Sequence, residues 1–278
     1  MVSRKFDNKI DYEELLDPSV LYNLEKVRLE ANKVDIGYFY DVLCDNDVVK
    51  DSENAEQLTY VFISWLLKKK ANLDYLKFLS KSEFIVPEIF EEYDYYYDGA
   101  VYGDLHRGRV YQVDLPFPDT FINTSIYTHE FGHYMNCKRV PKLNDNLFYR
   151  EIIPILNQHL FTEFCIDKDF FKECGDLNYL YYYDNIIRFL HMKDESFLDY
   201  EDGKDMISVL HENILYYYGF LYANKLFEGY LDDKNKFLKK YRALYSGAKL
   251  NDFLKYYGAD LRNESTIEPT MKILKKYQ

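Results

Sequence analysis

From residue 11 to about 80 the apolar positions recur at helical spacing. In "SVLYNLEKVRLEANKV", Leu21, Leu24, Val27 and Leu29 fall near one stripe, and Pro18 marks a helix start or break. "SENAEQLTYVFISWLLKKK" opens on a cap-like Ser52 with an acidic first turn, and its lysines at 68–70 suit the end of a helix dipole. Residues 81–99 break this pattern with an acidic, aromatic, turn-rich run that reads as a boundary or surface loop. Next, "GRVYQVDLP" sets Val110, Gln112 and Asp114 against Tyr111, Val113 and Leu115, which predicts a strand over 109–115. Helical patterns follow at 120–137, 146–170, 178–192, 205–230, 234–246, 249–257 and 266–277, with no fixed-period repeat. The expected fold is mainly α, with a small sheet just before the 120–137 helix. Residues 1–80 form a helical segment packed on a unit of residues 81–278.

Composition narrows the partners more than the fold. A hydrophobic share of 47% in 278 residues excludes wholesale disorder and allows a large core. The 30 Tyr and 20 Phe accompany many Lys, Asn, Ile and Asp, as an AT-rich genome would produce. A net charge of −12 with no Lys/Arg stripe excludes a nucleic-acid partner. Cys44, Cys137, Cys165 and Cys174 form no paired spacing, so reduced thiols and a cytoplasmic setting are expected. With no apolar leader and no 18-residue apolar span, no membrane partner is expected.

Chemistry enters at "THEFGHYMN". Residues four apart share a helix face, so His129 and His133 can aim imidazole nitrogens at one zinc ion while Glu130 reaches a water beside it. Gly132 sits mid-helix, where it costs about 1 kcal/mol against Ala, so something other than helix propensity favours it. A catalytic zinc site needs a third protein ligand and an open fourth position. Cys137 lies a further turn along the same face, although three successive ligands at this spacing converge poorly. The next helix offers Glu151, His159 and Glu163, of which spacing favours Glu151. Downstream, "HENILYYYGFLYANKLF" supplies His211 and a tyrosine cluster, which either face such a site or pack a core.

Taken together these segments resemble the oligoendopeptidase F and thimet oligopeptidase family of zinc peptidases. "HEFGH" is similar to that family's zinc motif and "EIIPILNQ" to its third-ligand segment, so the resemblance makes Glu151 the third ligand. "HENILYYYGFLYAN" resembles the family's His and Tyr-rich helix, which implies that His211 and Tyr218 face the scissile carbonyl, with Tyr217 and Tyr222 beside the substrate. "DLHRGR" at 104–109 and the tail "YRALYSGAKLNDFLKYYGADL" also echo the family, so the match runs over about 100–278.

The resemblance implies a zincin-like catalytic domain with a Zn2+ cofactor, Glu130 as general base and then acid, and a peptide substrate. The substrate backbone is expected to add to the sheet edge near 109–115, beside Tyr111 and Val113. Three features depart from the family, the first being a gap between His133 and Glu151 that is shorter than expected. Gln158 replaces a second glutamate, and the family's large N-terminal helical part, which walls off a deep cleft, is represented here only by residues 1–80. A silent peptide- or protein-binding descendant and a structural zinc protein using Cys137 are the other readings these residues permit.

Overall fold

The computed structural model describes residues 17–34, 55–85, 99–104, 109–116, 120–139, 149–171, 176–182 and 213–278. The chain is mainly helical. In order, the elements are α1 (Pro18–Ala31), α2 (Ala55–Leu67), α3 (Asn72–Leu79), β1 (Ser82–Ile85), β2 (Ala100–Asp104), β3 (Arg109–Pro116), α4 (Phe121–Arg139), α5 (Ile152–Lys168), α6 (Asn213–Asp232), α7 (Lys234–Tyr245), α8 (Leu250–Tyr256) and α9 (Glu268–Lys276). Residues 177–182 are also helical.

At the start of α1, Pro18 takes the first turn and the Asp17 carboxylate accepts from the Ser19 amide at 2.8 Å. That capping is what Asp and Pro favour at a helix start. The buried face is Val20, Leu24, Val27 and Ala31, whereas Leu29 is 51% exposed. The predicted stripe was therefore rotated, because Val20 rather than Leu21 sets its phase. This face packs against the chain's other end: Asn23 Nδ2 donates to the Leu261 carbonyl at 2.7 Å, and the Tyr217 hydroxyl donates to the Leu24 carbonyl at 2.7 Å.

Helix α2 seats Phe62 against Phe161 and Phe164 of α5, with ring centroids 5.2 and 5.5 Å apart. It stops at Leu67, and a cation from another helix meets its last carbonyls. Arg242 of α7 donates from Nε to Leu66 and from Nη2 to Trp65 at 2.8 and 2.9 Å. Those carbonyls lack intrahelical donors, so a cation with several N–H groups satisfies them.

The sheet has the order β1-β3-β2, with β1 parallel and β2 antiparallel to β3. The predicted strand is therefore the central one: β2 pairs along Arg109–Asp114 and β1 along Val113–Pro116, so the edge expected near 109–115 is covered by β1 only from Val113 onward. Among the described residues, β2 is an edge. Strict alternation also fails on β3. Gly103 pairs with Val110 while Tyr102 pairs with Gln112, so Tyr111 is the extra residue of a bulge and stands 61% exposed. The inserted residue shifts the phase by one, which puts Val110 on the buried side with Val113 and Leu115.

Helix α4 runs through the middle. From Phe121 to Cys137 every residue except Asn123 is buried. Thr120 caps it by accepting from the Asn123 amide at 3.0 Å. A helix buried all round would normally be apolar, yet this one buries Thr124, Ser125, Thr128, His129, Glu130, His133 and Asn136. Each of these buried polar groups needs a partner, which ties the helix to its neighbours.

Candidate metal centre

The approach of α5 to α4 depends on Gly132. A Cβ there would fall 2.6 Å from the Pro154 Cα and 2.9 Å from its nitrogen, so no side chain fits. This is the reason a helix-disfavouring residue occupies mid-helix. Pro154 is harmless in return, since it lies in the first turn of α5, where backbone N–H groups lack intrahelical acceptors. Asn136, further along α4, donates to the Arg150 carbonyl at 3.2 Å and fixes the backbone that leads into Glu151. Deeper in, Asn157 Nδ2 donates to the Thr128 carbonyl at 3.0 Å, and its oxygen accepts from the Tyr241 hydroxyl of α7.

These contacts bring three donors to one point. Glu151 Oε2 lies 3.3 Å from His129 Nε2 and 3.2 Å from His133 Nε2. Zinc bonds of about 2.0–2.1 Å in a tetrahedron separate neighbouring ligands by about 3.3 Å, so the three atoms stand as ligands of one ion would. Donor atoms of His129, Glu130 and His133 also lie within 4.8 Å of one another. Glu151 Oε2 is buried and makes no well-formed hydrogen bond, although two imidazole nitrogens face it. Two imidazole nitrogens and a carboxylate oxygen at these distances need something positive between them, a proton or a divalent cation. The residues present fit zinc.

Electrostatics agree. For Glu151, burial opposes ionisation, but the two imidazoles carry its carboxyl well below the usual range. Burial opposes charge on His129 as well, yet the facing Glu151 carboxylate, aided by Glu130, holds its pKa above the ordinary imidazole value. Burial pushes His133 down to about 4, only partly offset by Glu151, so this imidazole is neutral and ready to act as a ligand. Arg150 lies 3.6 Å from the other carboxylate oxygen of Glu151.

The remaining candidates are placed as follows. His159 is buried among the rings of Tyr181, Tyr182, Phe220 and Phe227. Glu163 accepts from Lys234 at 2.8 Å. Cys137 is buried in the apolar core. Tyr217 and Tyr218 are buried on α6, Tyr222 accepts from the Leu261 amide at 3.5 Å, Tyr111 is exposed and Val113 is buried. His211 lies outside the described residues. Tyr216, which the sequence did not single out, stacks on His129 with centroids 6.0 Å apart. Its signal was weak, since any of the neighbouring tyrosines could have faced the histidines.

No protein-family model and no curated protein matches the chain. Its fold is similar to a crystal structure from Chlamydophila abortus described as a "putative peptidase", with a TM-score of 0.52 and 15% identity. The alignment covers 98% of this chain and 55% of that one, so the chain spans about half its length. At this identity the likeness speaks to the fold. Among the described residues, no helix is long and apolar enough to cross a membrane.

Proposed function

We propose that the protein is a zinc-dependent peptidase. The observation that carries this reading is the convergence of His129 Nε2, His133 Nε2 and Glu151 Oε2, 3.2–3.3 Å apart through the carboxylate, with buried Glu130 beside them. Bound zinc supplies a Lewis acid that polarises a carbonyl and brings the pKa of a water ligand to around 7. His129, His133 and Glu151 would hold it.

Glu130 then performs the proton transfers, taking a proton from the attacking water and returning it to the leaving amine. Its position is built from both sides: α4 carries it, and a Cβ at Gly99 would fall 2.7 Å from the Glu130 Cγ, so the backbone entering β2 lies directly against this side chain. That contact moves the proposed substrate site from 109–115 to the outer edge of β2. An extended peptide pairing there reads main chain without demanding a particular side chain. His211 and Tyr218 keep the role that the family resemblance gives them, in holding the substrate or its developing oxyanion.

The test is a mixed peptide library incubated with zinc-loaded protein, with and without chelator, and read by mass spectrometry. Chelator-sensitive cleavage that Glu130→Gln abolishes while still binding zinc is the expected result. Full cleavage by zinc-loaded Glu130→Gln would sink the mechanism.

A further inference from the structure

Gln158 stands where the resembling family has a glutamate, and its surroundings give the amide a defined task. One turn before His129 on α4, Ser125 donates its hydroxyl hydrogen to the Ile122 carbonyl at 2.8 Å. The Ser125 oxygen is left to accept, and Gln158 Nε2 donates to it at 3.0 Å. The amide's oxygen end is thereby turned to His129, with Oε1 at 2.9 Å from Nδ1. An amide oxygen only accepts, so Nδ1 must carry the hydrogen. The lone pair of a neutral His129 is then on Nε2, the atom that faces Glu151 and His133. All three side chains are buried, so water does not compete for these bonds.

The reverse network is chemically complete as well. If Ser125 gave its hydrogen to the amide oxygen, the amide nitrogen would donate to Nδ1, the hydrogen of His129 would move to Nε2, and the metal-facing lone pair would be lost. The choice between the two rests on where the Ser125 hydroxyl points.

We infer that Gln158 is a positioning residue, oriented by Ser125, that locks His129 in the metal-binding tautomer while adding no charge to the centre. This rests on the reading of His129, His133 and Glu151 as the zinc ligands. Partners that hold the far nitrogen of a ligand histidine are typically worth about 10–100-fold in metal affinity. The use of a neutral amide has a consequence of its own. Zinc and the Glu151 carboxylate sum to one positive charge, which an ionised Glu130 beside them balances, so a glutamate at 158 would turn the centre negative.

Zinc affinity by chelator competition on the full chain separates the outcomes. Gln158→Leu removes the acceptor at similar volume and is expected to bind zinc about 10–100-fold more weakly. Gln158→Glu keeps an acceptor and is expected to bind at least as tightly as the wild type. In zinc-loaded wild type, nitrogen-resolved NMR should show a His129 Nδ1–H protected from solvent exchange, and Gln158→Leu should lose that protection. Should Gln158→Leu fail to fold, Ser125→Ala leaves Gln158 in place, removes the group that orients it, and carries the same expected direction. Unchanged affinity in the Leu variant, or a Glu variant as weak as the Leu one, overturns the inference. A wild type that binds no zinc defeats the metal-site reading itself.

Discussion

Gly219 of α6 lies so close to Glu151 that a Cβ added there would fall 2.6 Å from the Glu151 Cβ and 3.0 Å from its carbonyl carbon. These are backbone-proximal atoms that do not swing aside. The proposed third ligand, Glu151, is therefore braced from behind by a helix that arrives more than sixty residues later. Gly219→Ala is expected to destabilise the fold by up to about 2 kcal/mol, because a helix gain of about 1 kcal/mol offsets only part of an overpacking cost of about 1–3 kcal/mol. Its effect should appear in zinc affinity as well, since a ligand displacement costing about 1.4 kcal/mol weakens binding tenfold. Chelator competition and thermal denaturation on the same variant check both halves. Wild-type affinity would show that this packing does not hold the carboxylate.

Glu151 itself should couple the metal to the fold. Anything that binds only the folded state stabilises it, by about 4 kcal/mol at a free concentration a thousand times the Kd. Zinc is therefore expected to raise the Tm of the wild type and chelator to lower it again. Glu151→Gln, which keeps the side chain's shape but removes the negative charge that faces both imidazoles, should lose most of that response. A Glu151→Gln protein whose Tm rises with zinc as the wild type's does would remove Glu151 from the ligand set.

A change away from the ligands should separate scaffold from site. The Tyr241 hydroxyl donates to Asn157, whose other end holds the Thr128 carbonyl. Tyr241→Phe leaves the buried Asn157 oxygen unmet, at a cost of about 1–3 kcal/mol. Urea denaturation should register that loss while the metal-loaded protein keeps its zinc affinity. A parallel fall in affinity would mean that the Asn157 bridge also sets the position of His129.

What could be read in advance follows the range of each interaction. His129 and His133 were legible because the helix alone brings them together, and the start of α1 because Asp17 and Pro18 act locally. Gly132 was legible only as a question, since its answer, Pro154, sits on another helix. The places of Gly99 and Gly219 against Glu130 and Glu151 depend on contacts made only after the chain folds, and a lone glycine carries no address for its neighbour. The sheet misled for a related reason. Alternation located β3 but cannot count its neighbours or reveal the bulge at Tyr111, because both are properties of the partner strands. Composition made the tyrosines of α6 ambiguous, so Tyr216, stacked on His129, was indistinguishable from Tyr217, whose hydroxyl is bonded to α1.

Acid should expose the buried histidine of α5. His159 stacks against the rings of Phe220 and Phe227, with Tyr181 edge-on, and its buried Nε2 has no hydrogen-bond partner among the described residues. Burial pushes its pKa down to about 3, against 6.5 for an exposed imidazole. The folded state thus resists a proton that the unfolded chain accepts. Stability tied to this group is whole above about pH 6.5 and declines as pH falls toward about 3, by about 2 kcal/mol between pH 7 and pH 5. His159→Phe keeps a ring in the aromatic setting and removes the titration, so its urea-unfolding free energy should fall less over that interval than the wild type's. The comparison belongs in zinc-saturated protein at both pH values, because metal-free His133, pushed down to about 4, would add an acid response of the same sign. Equal pH slopes for the two proteins would show that His159 is protonated in the folded state, against the burial argument.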